Sequence, residues 1–211
     1  MPEPFSWSEQ YSRRKEAARR FGKSVFRLPL AKRASDVLLE FVPEGSSVLE
    51  VGAGDRRMGK LLRAQRKDVT YLSMDPDPAG DHEFKSLEEI DEQFDCVFAF
   101  EVVEHLALDE AATWMGELCR VTRPGGTLLL STPNTFYPPA FLRDATHKTP
   151  WCYDELAGFA AGVGFEATHV VRIYNDAAHR YFARRYLLGW LFRLMGIDFA
   201  RQIVLAAGKP E

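Results

Sequence analysis

The stretch Val48–Asp55, Val-Leu-Glu-Val-Gly-Ala-Gly-Asp, constrains the fold more than any other part of the chain. Its first residues are mostly apolar and favour β structure, as in a parallel strand that is buried on both faces. Gly52 and Gly54 follow, and glycine permits a tight turn and the close approach of a ligand to the backbone. Met58 and Leu61 then lie at helical spacing. The pattern predicts a strand, a glycine turn and a helix whose free N–H groups face a ligand.

The residues around this turn separate two classes of nucleotide-type ligand. A dinucleotide site needs another glycine three residues after Gly54, and that position is Arg57. Glu50 places a carboxylate beside the turn, which suits a cationic ligand better than a pyrophosphate. An ordinary strand–turn–helix with no ligand is the alternative that this motif alone leaves open.

A second acidic residue follows the next expected strand. Residues 69–74 are expected to form that strand, and Asp75 ends it before Pro76 and Pro78. The interval from Glu50 to Asp75 is close to the one at which such folds place an acid on the ribose hydroxyls. Taken together, the two motifs favour ribose binding by Asp75, and a turn aspartate before proline is the alternative.

A third buried strand is expected at residues 94–100. It leads directly into Glu101-Val102-Val103-Glu104-His105, and Asp109 is expected to cap the helix that follows. Arg-Pro-Gly-Gly at residues 123–126 ends this helix before an apolar strand at 127–130.

In order and spacing, residues 46–132 resemble the class I methyltransferases that use S-adenosylmethionine, in particular the type-11-like small-molecule group. Glu-x-Gly-x-Gly at Glu50 is similar to the family's first motif, although Arg56 stands where a third glycine is usual. The resemblance implies S-adenosyl-L-methionine as the cofactor. It also implies a Rossmann-like, doubly wound α/β sheet of seven strands whose last strand is antiparallel. The implied cofactor-binding residues are Glu50, Gly52, Gly54, Asp75, Ser86, Leu87 and Glu101.

The length of 211 residues suits a single methyltransferase domain spanning residues 1–211. We expect N-terminal helices in residues 1–44, a nucleoside-binding half in residues 46–132 and an acceptor-side half in residues 133–211. An inserted helix is expected at 177–196.

Smaller elements can also be placed. Ser6 and Glu9 predict a capping box at the first helix, and the second helix is expected to start near Pro29. A short strand is expected near residues 82–85. Two more strands, at residues 165–173 and 201–207, complete the expected sheet.

Methyl transfer from a sulfonium depends mainly on holding donor and acceptor together, which contributes about 7–11 kcal/mol. A base is needed only when the acceptor, such as a hydroxyl, must lose a proton. Asp-Ala-Thr-His-Lys at residues 144–148 resembles the Asp-x-Thr-His segment that lies over the acceptor in these enzymes. His147 is the candidate general base, because an imidazole titrates near neutral pH. A hydrogen bond that only shapes the loop is the alternative.

Glu101 is the second catalytic candidate. In ubiquinone-pathway O-methyltransferases and small-RNA methyltransferases, a Glu-x-x-Glu-His stretch similar to residues 101–105 is associated with a divalent metal, and carboxylates with imidazole suit one. The same letters occur in relatives with no known metal, where the histidine caps or packs at a helix start. We therefore expect no metal here and a packing role for His105.

Charge and composition restrict the partners. The net charge of −3 gives no indication of nucleic-acid binding. Residues 177–196 carry more apolar surface than packing on one side requires, interspersed with arginines. A lid or packing role is favoured, and a weak membrane-surface contact or a homodimer contact is the alternative. Three cysteines without metal or redox spacing, and no apolar run at Met1–Pro4, predict a cytoplasmic protein.

The predicted function is S-adenosylmethionine-dependent methyl transfer to a small-molecule acceptor, at a hydroxyl. A non-catalytic relative that binds the nucleoside as a sensor or partner subunit is the alternative. A nicotinamide oxidoreductase is disfavoured by Arg57 and Glu50.

Overall fold

The computed structural model describes residues 6–211, so the expectations for Met1–Pro4 lie outside the described residues. In chain order the helices are α1 (Trp7–Phe21), α2 (Ala34–Phe41), α3 (Arg57–Gln65), α4 (Leu108–Val121), α5 (Pro138–Leu142), α6 (Tyr153–Gly162), α7 (Ala178–Phe182) and α8 (Gly189–Met195). The strands are β1 (Leu30–Ala31), β2 (Ser47–Val51), β3 (Thr70–Met74), β4 (Phe94–Phe100), β5 (Thr122–Pro133), β6 (Glu166–Ile173) and β7 (Gln202–Gly208).

The strands form one seven-stranded sheet in the order β1-β6-β7-β5-β4-β2-β3. Parallel pairing joins β3 to β2, β2 to β4 and β4 to β5. Strand β7 runs antiparallel to both β5 and β6. The Rossmann-like sheet with an antiparallel last strand is therefore confirmed. The strand order also brings the carboxyl ends of β2 and β4 side by side, and ligands of such sheets bind at that edge.

The central strands are buried on both faces, as their apolar sequence predicts. Val48, Leu49 and Val51 of β2 are each at most 1% exposed, and the β4 side chains from Cys96 to Ala99 are inaccessible to solvent. A parallel strand covered by helices on both faces needs this composition. The sheet is thus a rigid support for the loops at its edge.

One of the seven strands is not where the sequence suggests. Residues 82–85 do not form a strand, and a single bridge links Phe84 to Met74 at the edge of β3. The neighbouring edge donor, the Ser73 N–H, donates instead to a carboxylate oxygen of Glu83 at 2.8 Å. Because this N–H is hydrogen-bonded to a side chain, the single bridge does not extend into a longer strand ladder. The two residues of β1 supply the remaining strand, paired with β6.

The helix expected to start near Pro29 starts later. Leu30 and Ala31 pair with Arg172 and Ile173 of β6, so this part of the chain is extended. Helix α2 begins at Ala34, after Arg33 in an extended conformation. The apolar residues that predicted one longer helix therefore belong partly to strand β1 and partly to helix α2.

The inserted helix expected at residues 177–196 is broken. Helix α7 is followed by a π-helical turn at Ala183–Leu187, in which the Leu188 N–H donates to the Ala183 carbonyl. Gly189 then begins helix α8. Glycine in a helix interior is less stable than alanine by about 1 kcal/mol, which is consistent with an interruption of the helix at this point.

Helix α1 begins as predicted, because the Ser6 hydroxyl accepts a hydrogen bond from the Glu9 N–H at 3.3 Å. The helix then packs against α6, where Arg14 pairs with Asp154 at 3.1 Å. A Cβ at Gly158 would lie 2.9 Å from the Arg14 nitrogen, so the two backbones approach closely. Within residues 6–211, no helix is long and apolar enough to cross a membrane.

Candidate functional site

A cavity of about 770 Å³ opens at the edge of the sheet where β2, β4, β5 and β6 end. Its volume lies in the range of sites for cofactors and other small ligands. Four of the residues predicted for cofactor binding line this cavity: Glu50, Gly52, Gly54 and Glu101.

The glycine turn forms the floor of the cavity. Gly52 has a φ of +71°, and a Cβ there would lie 2.4 Å from a methyl group of Val102. The Gly52 N–H donates to the Met74 carbonyl at 2.8 Å, which fixes the turn against β3. Glycine is thus required at this position both by backbone conformation and by the space available.

Arg56 adopts the left-handed conformation that glycine usually supplies, with a φ of +57°. Its side chain leaves the cavity and reaches the Ser73 hydroxyl at 3.0 Å, the Asp81 carbonyl and the Glu83 carboxylate. A left-handed backbone costs a non-glycine residue about 1–2 kcal/mol, and these contacts offset part of that cost. The bulky cation therefore does not occupy the ligand space.

Glu50 lies beneath the turn with little solvent contact. Burial raises the pKa of its carboxyl to about 7, against the opposing effect of hydrogen bonds from the Tyr71 hydroxyl and the Gly59 N–H. Burial disfavours the ionised carboxylate, and the nearby charge of Arg56 offsets this effect only in part. A positively charged ligand in the cavity would compensate this charge.

The other three predicted cofactor residues do not line the cavity. Asp75 accepts hydrogen bonds from the Gly54 N–H at 2.8 Å and the Asp77 N–H at 2.9 Å, which is the geometry of a turn aspartate. Leu87 is 4% exposed and packs in the core, and Ser86 precedes it at the start of a short 3₁₀ turn. Asp75 nevertheless holds Gly54, so it stays next to the ligand loop.

Several residues of the cavity wall carried no signal in the sequence. They come from the start of α2 and from the ends of β6 and β7, and they include Arg33, Ser35, Ile173, Asn175 and Gln202. Only the sheet order brings these distant segments to the β2 loop. Arg57, Met58 and Leu61 of α3 complete the wall near the glycines.

Glu101 marks the exit of β4 and has an unusual backbone conformation, with a φ of +58°. Its N–H donates to the Ser131 carbonyl at 3.1 Å, and the Ser131 hydroxyl donates to its carboxylate at 2.9 Å. Burial raises the pKa of this carboxyl. A left-handed non-glycine residue held by hydrogen bonds is a form of local strain that clusters at functional sites.

Glu104 is fully buried next to Glu101. Among the described residues, neither of its carboxylate oxygens has a hydrogen-bond partner. Burial, together with the charge of Glu101, raises the pKa of Glu104. An unpaired buried carboxylate is costly, so this pair favours binding a proton or a cation.

The structure brings His147 to this pair, although it lies over forty residues further along the chain. The His105 and His147 rings have centroids 4.8 Å apart. Possible ligand atoms of Glu104, His105 and His147 all lie within 4.8 Å of one another. The Glu101 segment and the Asp144 segment, which the sequence treated as separate clusters, are therefore one cluster.

Hydrogen bonds determine which nitrogen of each ring is free. His147 Nδ1 lies 2.8 Å from the Phe141 carbonyl, which can only accept, so Nδ1 carries a proton. The Thr146 hydroxyl donates to Asp144 and consequently accepts from Nδ1 of His105. In the neutral form of each ring, Nε2 is left with its lone pair. Such nitrogens can take a proton or bind a metal ion.

Comparisons with known proteins give the same family over most of the chain. The family described as "Methyltransferase domain" matches residues 25–197. A probable S-adenosylmethionine-dependent methyltransferase of Mycolicibacterium smegmatis is 31% identical over 151 residues, which cover 63% of this chain. The matched region spans 57% of the length of that relative.

Solved structures show the same fold. A S-adenosylmethionine-dependent methyltransferase from Archaeoglobus fulgidus aligns with a TM-score of 0.61 at 16% identity, covering 83% of this chain and 95% of that one. A putative methyltransferase in complex with the Haloferax volcanii Trm112 activator aligns with a TM-score of 0.59 at 16% identity, covering 96% of both chains. On the strength of the family match, this chain belongs to the class I methyltransferases, and S-adenosylmethionine is its cofactor.

Proposed function

We propose that this methyltransferase transfers the methyl group of S-adenosylmethionine to a hydroxyl of a small-molecule acceptor, with Glu101 and His147 as catalytic residues. The observation that carries the proposal is the closeness of Glu101 to both the cavity and the histidines. The cavity at the ends of β2 and β4 reaches Glu101, and His105 and His147, which group with Glu104, are close enough to Glu101 for their charges to lower its pKa.

In this proposal the cofactor occupies the cavity with its cationic centre near carboxylates. Glu50, Gly52 and Gly54 shape the cofactor side, Asp75 holds the loop and the ribose, and Ser86 and Leu87 lie toward the adenine. The leaving group is a neutral thioether, so most of the catalytic effect comes from positioning.

His147 receives the hydroxyl proton in this proposal. Its Nδ1–H is held by the Phe141 carbonyl, which leaves Nε2 as the proton acceptor. Burial raises the pKa values of the Glu101 and Glu104 carboxyls close to this ring. Histidine is the most frequent general base, and loss of such a base lowers turnover about 10²–10⁴-fold.

The acceptor is proposed to be a small molecule, with no role for nucleic acid. The three cysteines are free thiols, which fits the cytoplasmic location predicted from the sequence. A homodimer contact through residues 177–196 is the alternative role of that segment, and the oligomeric state of the purified protein tests it.

The test begins with S-adenosylmethionine and a panel of phenols, sugars and lipid-linked glycans. Once an acceptor is found, we expect His147→Ala to lower turnover about 10²–10⁴-fold while the affinity for S-adenosylhomocysteine is unchanged. His169→Ala is the matched control, because His169 is an exposed histidine on β6 and should not affect turnover. His105→Ala should mainly lower stability.

Three outcomes would contradict this proposal. Full activity in His147→Ala would exclude His147 as the general base. Activity lost in chelator and restored by a divalent cation would make Glu104, His105 and His147 metal ligands instead, since their donor atoms are grouped suitably. Cofactor binding with no transfer to any acceptor would favour the non-catalytic alternative.

A further inference from the structure

The segment from residue 177 to residue 197, which contains α7, the π-helical turn and α8, exposes a large apolar surface. Every one of its residues is described, and none is buried. Leu194 is 76% exposed, and Trp190 and Tyr186 are both 65% exposed. Also exposed are Phe182, Leu187, Leu188 and Met195. Isolated apolar residues are common on protein surfaces, but a contiguous group of large ones marks an interaction site.

Contacts from α7, the π-helical turn and α8 attach this segment to the rest of the protein. Tyr181 stacks on Tyr174 with ring centroids 4.3 Å apart, and the ring centroids of Phe192 and Phe199 are 5.7 Å apart. Arg184 pairs with the buried Asp176 at 2.8 Å. These contacts hold the segment in place, so its exposed apolar side chains are presented on a fixed support.

The charge of the same segment is strongly one-sided. It contains Arg180, Arg184, Arg185 and Arg193, and no Asp or Glu occurs between residues 177 and 197. Arg180 and Arg184 form ion pairs with Asp176, which lies just before the segment, so Arg185 and Arg193 supply most of its net positive charge. Arg185 and Arg193 border the same small crevice between α8 and the protein body. Both are exposed, at the border between the segment and the protein body.

We propose that this face docks on the surface of a bilayer that contains anionic lipids. Tryptophan and tyrosine are enriched where a membrane meets water, because each has an apolar ring and a polar group. Arginine stems lie along apolar surface while their guanidinium groups reach the phosphates. Helices of five and seven residues are too short to span a bilayer, so the segment lies in the interface plane.

Charge complementarity favours a lipid surface over a second copy of the chain as the partner of this face. Two copies joined through this face would bring two acid-free, arginine-rich segments together, and like charges repel. An anionic bilayer supplies the opposite charge and an apolar layer at once. Docking would also place the lipid surface near the cavity, since Asn175 of the cavity wall lies two residues before the segment.

Vesicle binding tests the proposal. The purified full chain should co-sediment with vesicles of phosphatidylcholine and phosphatidylglycerol, and much less with vesicles of phosphatidylcholine alone. Binding should weaken as salt is added, because screening reduces the attraction between exposed charges. Absence of binding to the anionic vesicles, or equal binding to both kinds, would overturn the proposal.

Paired substitutions separate the two contributions. Arg185→Gln with Arg193→Gln should weaken binding about thirtyfold, from about 1 kcal/mol for each basic residue at an anionic surface. Trp190→Ser with Leu194→Ser should weaken it at least about tenfold through lost apolar burial. The matched controls are Arg19→Gln and Leu108→Ser, which change exposed residues outside the segment and should bind as the parent does.

Two further measurements keep the result interpretable. Each variant should retain its melting temperature and its affinity for S-adenosylhomocysteine, which shows that the fold and the cofactor site are intact. Sedimentation of the protein alone should show a monomer at every concentration used. A dimer that Trp190→Ser with Leu194→Ser abolishes would assign the face to a second copy and overturn the proposal.

Discussion

Replacing Glu50 by glutamine tests the electrostatics beneath the glycine turn. Burial raises the pKa of the carboxyl from its ordinary 4.5 to about 7. Below pH 4.5 the carboxyl is protonated in the folded and unfolded states alike, and it has no effect on stability. Between pH 4.5 and 7 the unfolded state loses the proton first. The folded state is therefore destabilised as pH rises, and the effect is complete above pH 7.

The magnitude follows from the size of the shift. About 2.5 pKa units at 1.36 kcal/mol per unit gives about 3 kcal/mol. Glutamine keeps an acceptor for the Gly59 N–H and the Tyr71 hydroxyl but never ionises. We therefore expect Glu50→Gln to become more stable, relative to the parent, by about 3 kcal/mol between pH 4 and pH 8. Any pH-independent effect of the substitution cancels in this comparison.

The assay is urea denaturation of both proteins at pH 4 and pH 8 without cofactor. Glu83→Gln is a control of opposite sign, because hydrogen bonds from Ser73 and the charge of Arg56 lower the pKa of Glu83 to about 2 despite partial burial. Its ionised form stabilises the fold above pH 4.5 and loses that effect as pH falls toward 2. A stability difference between the parent and Glu50→Gln that is the same at both pH values would refute the reasoning.

Gly52→Ala should cost more stability than Gly45→Ala, by about 1–3 kcal/mol in denaturation, because both have a φ near +70° but only the first meets a neighbouring side chain. An equal cost would show that the turn has room for a Cβ. Asp75→Ala should weaken S-adenosylhomocysteine binding at least about tenfold by calorimetry, whereas unchanged affinity would leave it a turn residue. Asp198→Asn should destabilise the protein by about 3–5 kcal/mol, since it leaves buried Arg172 without its ionic partner at 3.0 Å; a smaller loss would contradict that role.

The sequence predicts the centre of the sheet well, because local chemistry determines it. Apolar runs and the glycine turn are each contained within a few neighbouring residues, and β2 and β4 form where they were expected. The edge of the sheet is different. Strand β1 has two residues, too few for any periodic pattern, and it exists only because β6 pairs with it. Glu83 likewise prevents a strand by hydrogen bonding to a donor ten residues away.

The candidate site shows the same limit. Glu50, Gly52 and Gly54 belong to one continuous motif, and all three line the cavity. The grouping of Glu104 and His105 with His147 depends on a loop that folds back, where the Lys148 N–H donates to the Glu104 carbonyl at 2.7 Å. No periodic pattern or motif in the sequence predicts such a long-range contact. Arg33 and Gln202 reach the cavity for the same reason.

The packing of α1 on α6 has a consequence for the order of events during synthesis. The first helix has its main packing partner in residues 153–162, and within residues 6–211 β1 pairs with β6 alone. Both N-terminal elements must therefore wait until the ribosome has made the last third of the chain. At 5–20 residues per second this delay is on the order of ten seconds. During that interval residues 7–31 have left the ribosome but have nothing to pack against, while β2 to β5 can already associate. A nascent chain stalled before residue 153 should accordingly be cleaved by protease within residues 7–31, and the full-length chain, in which β7 joins β6 to β5, should resist.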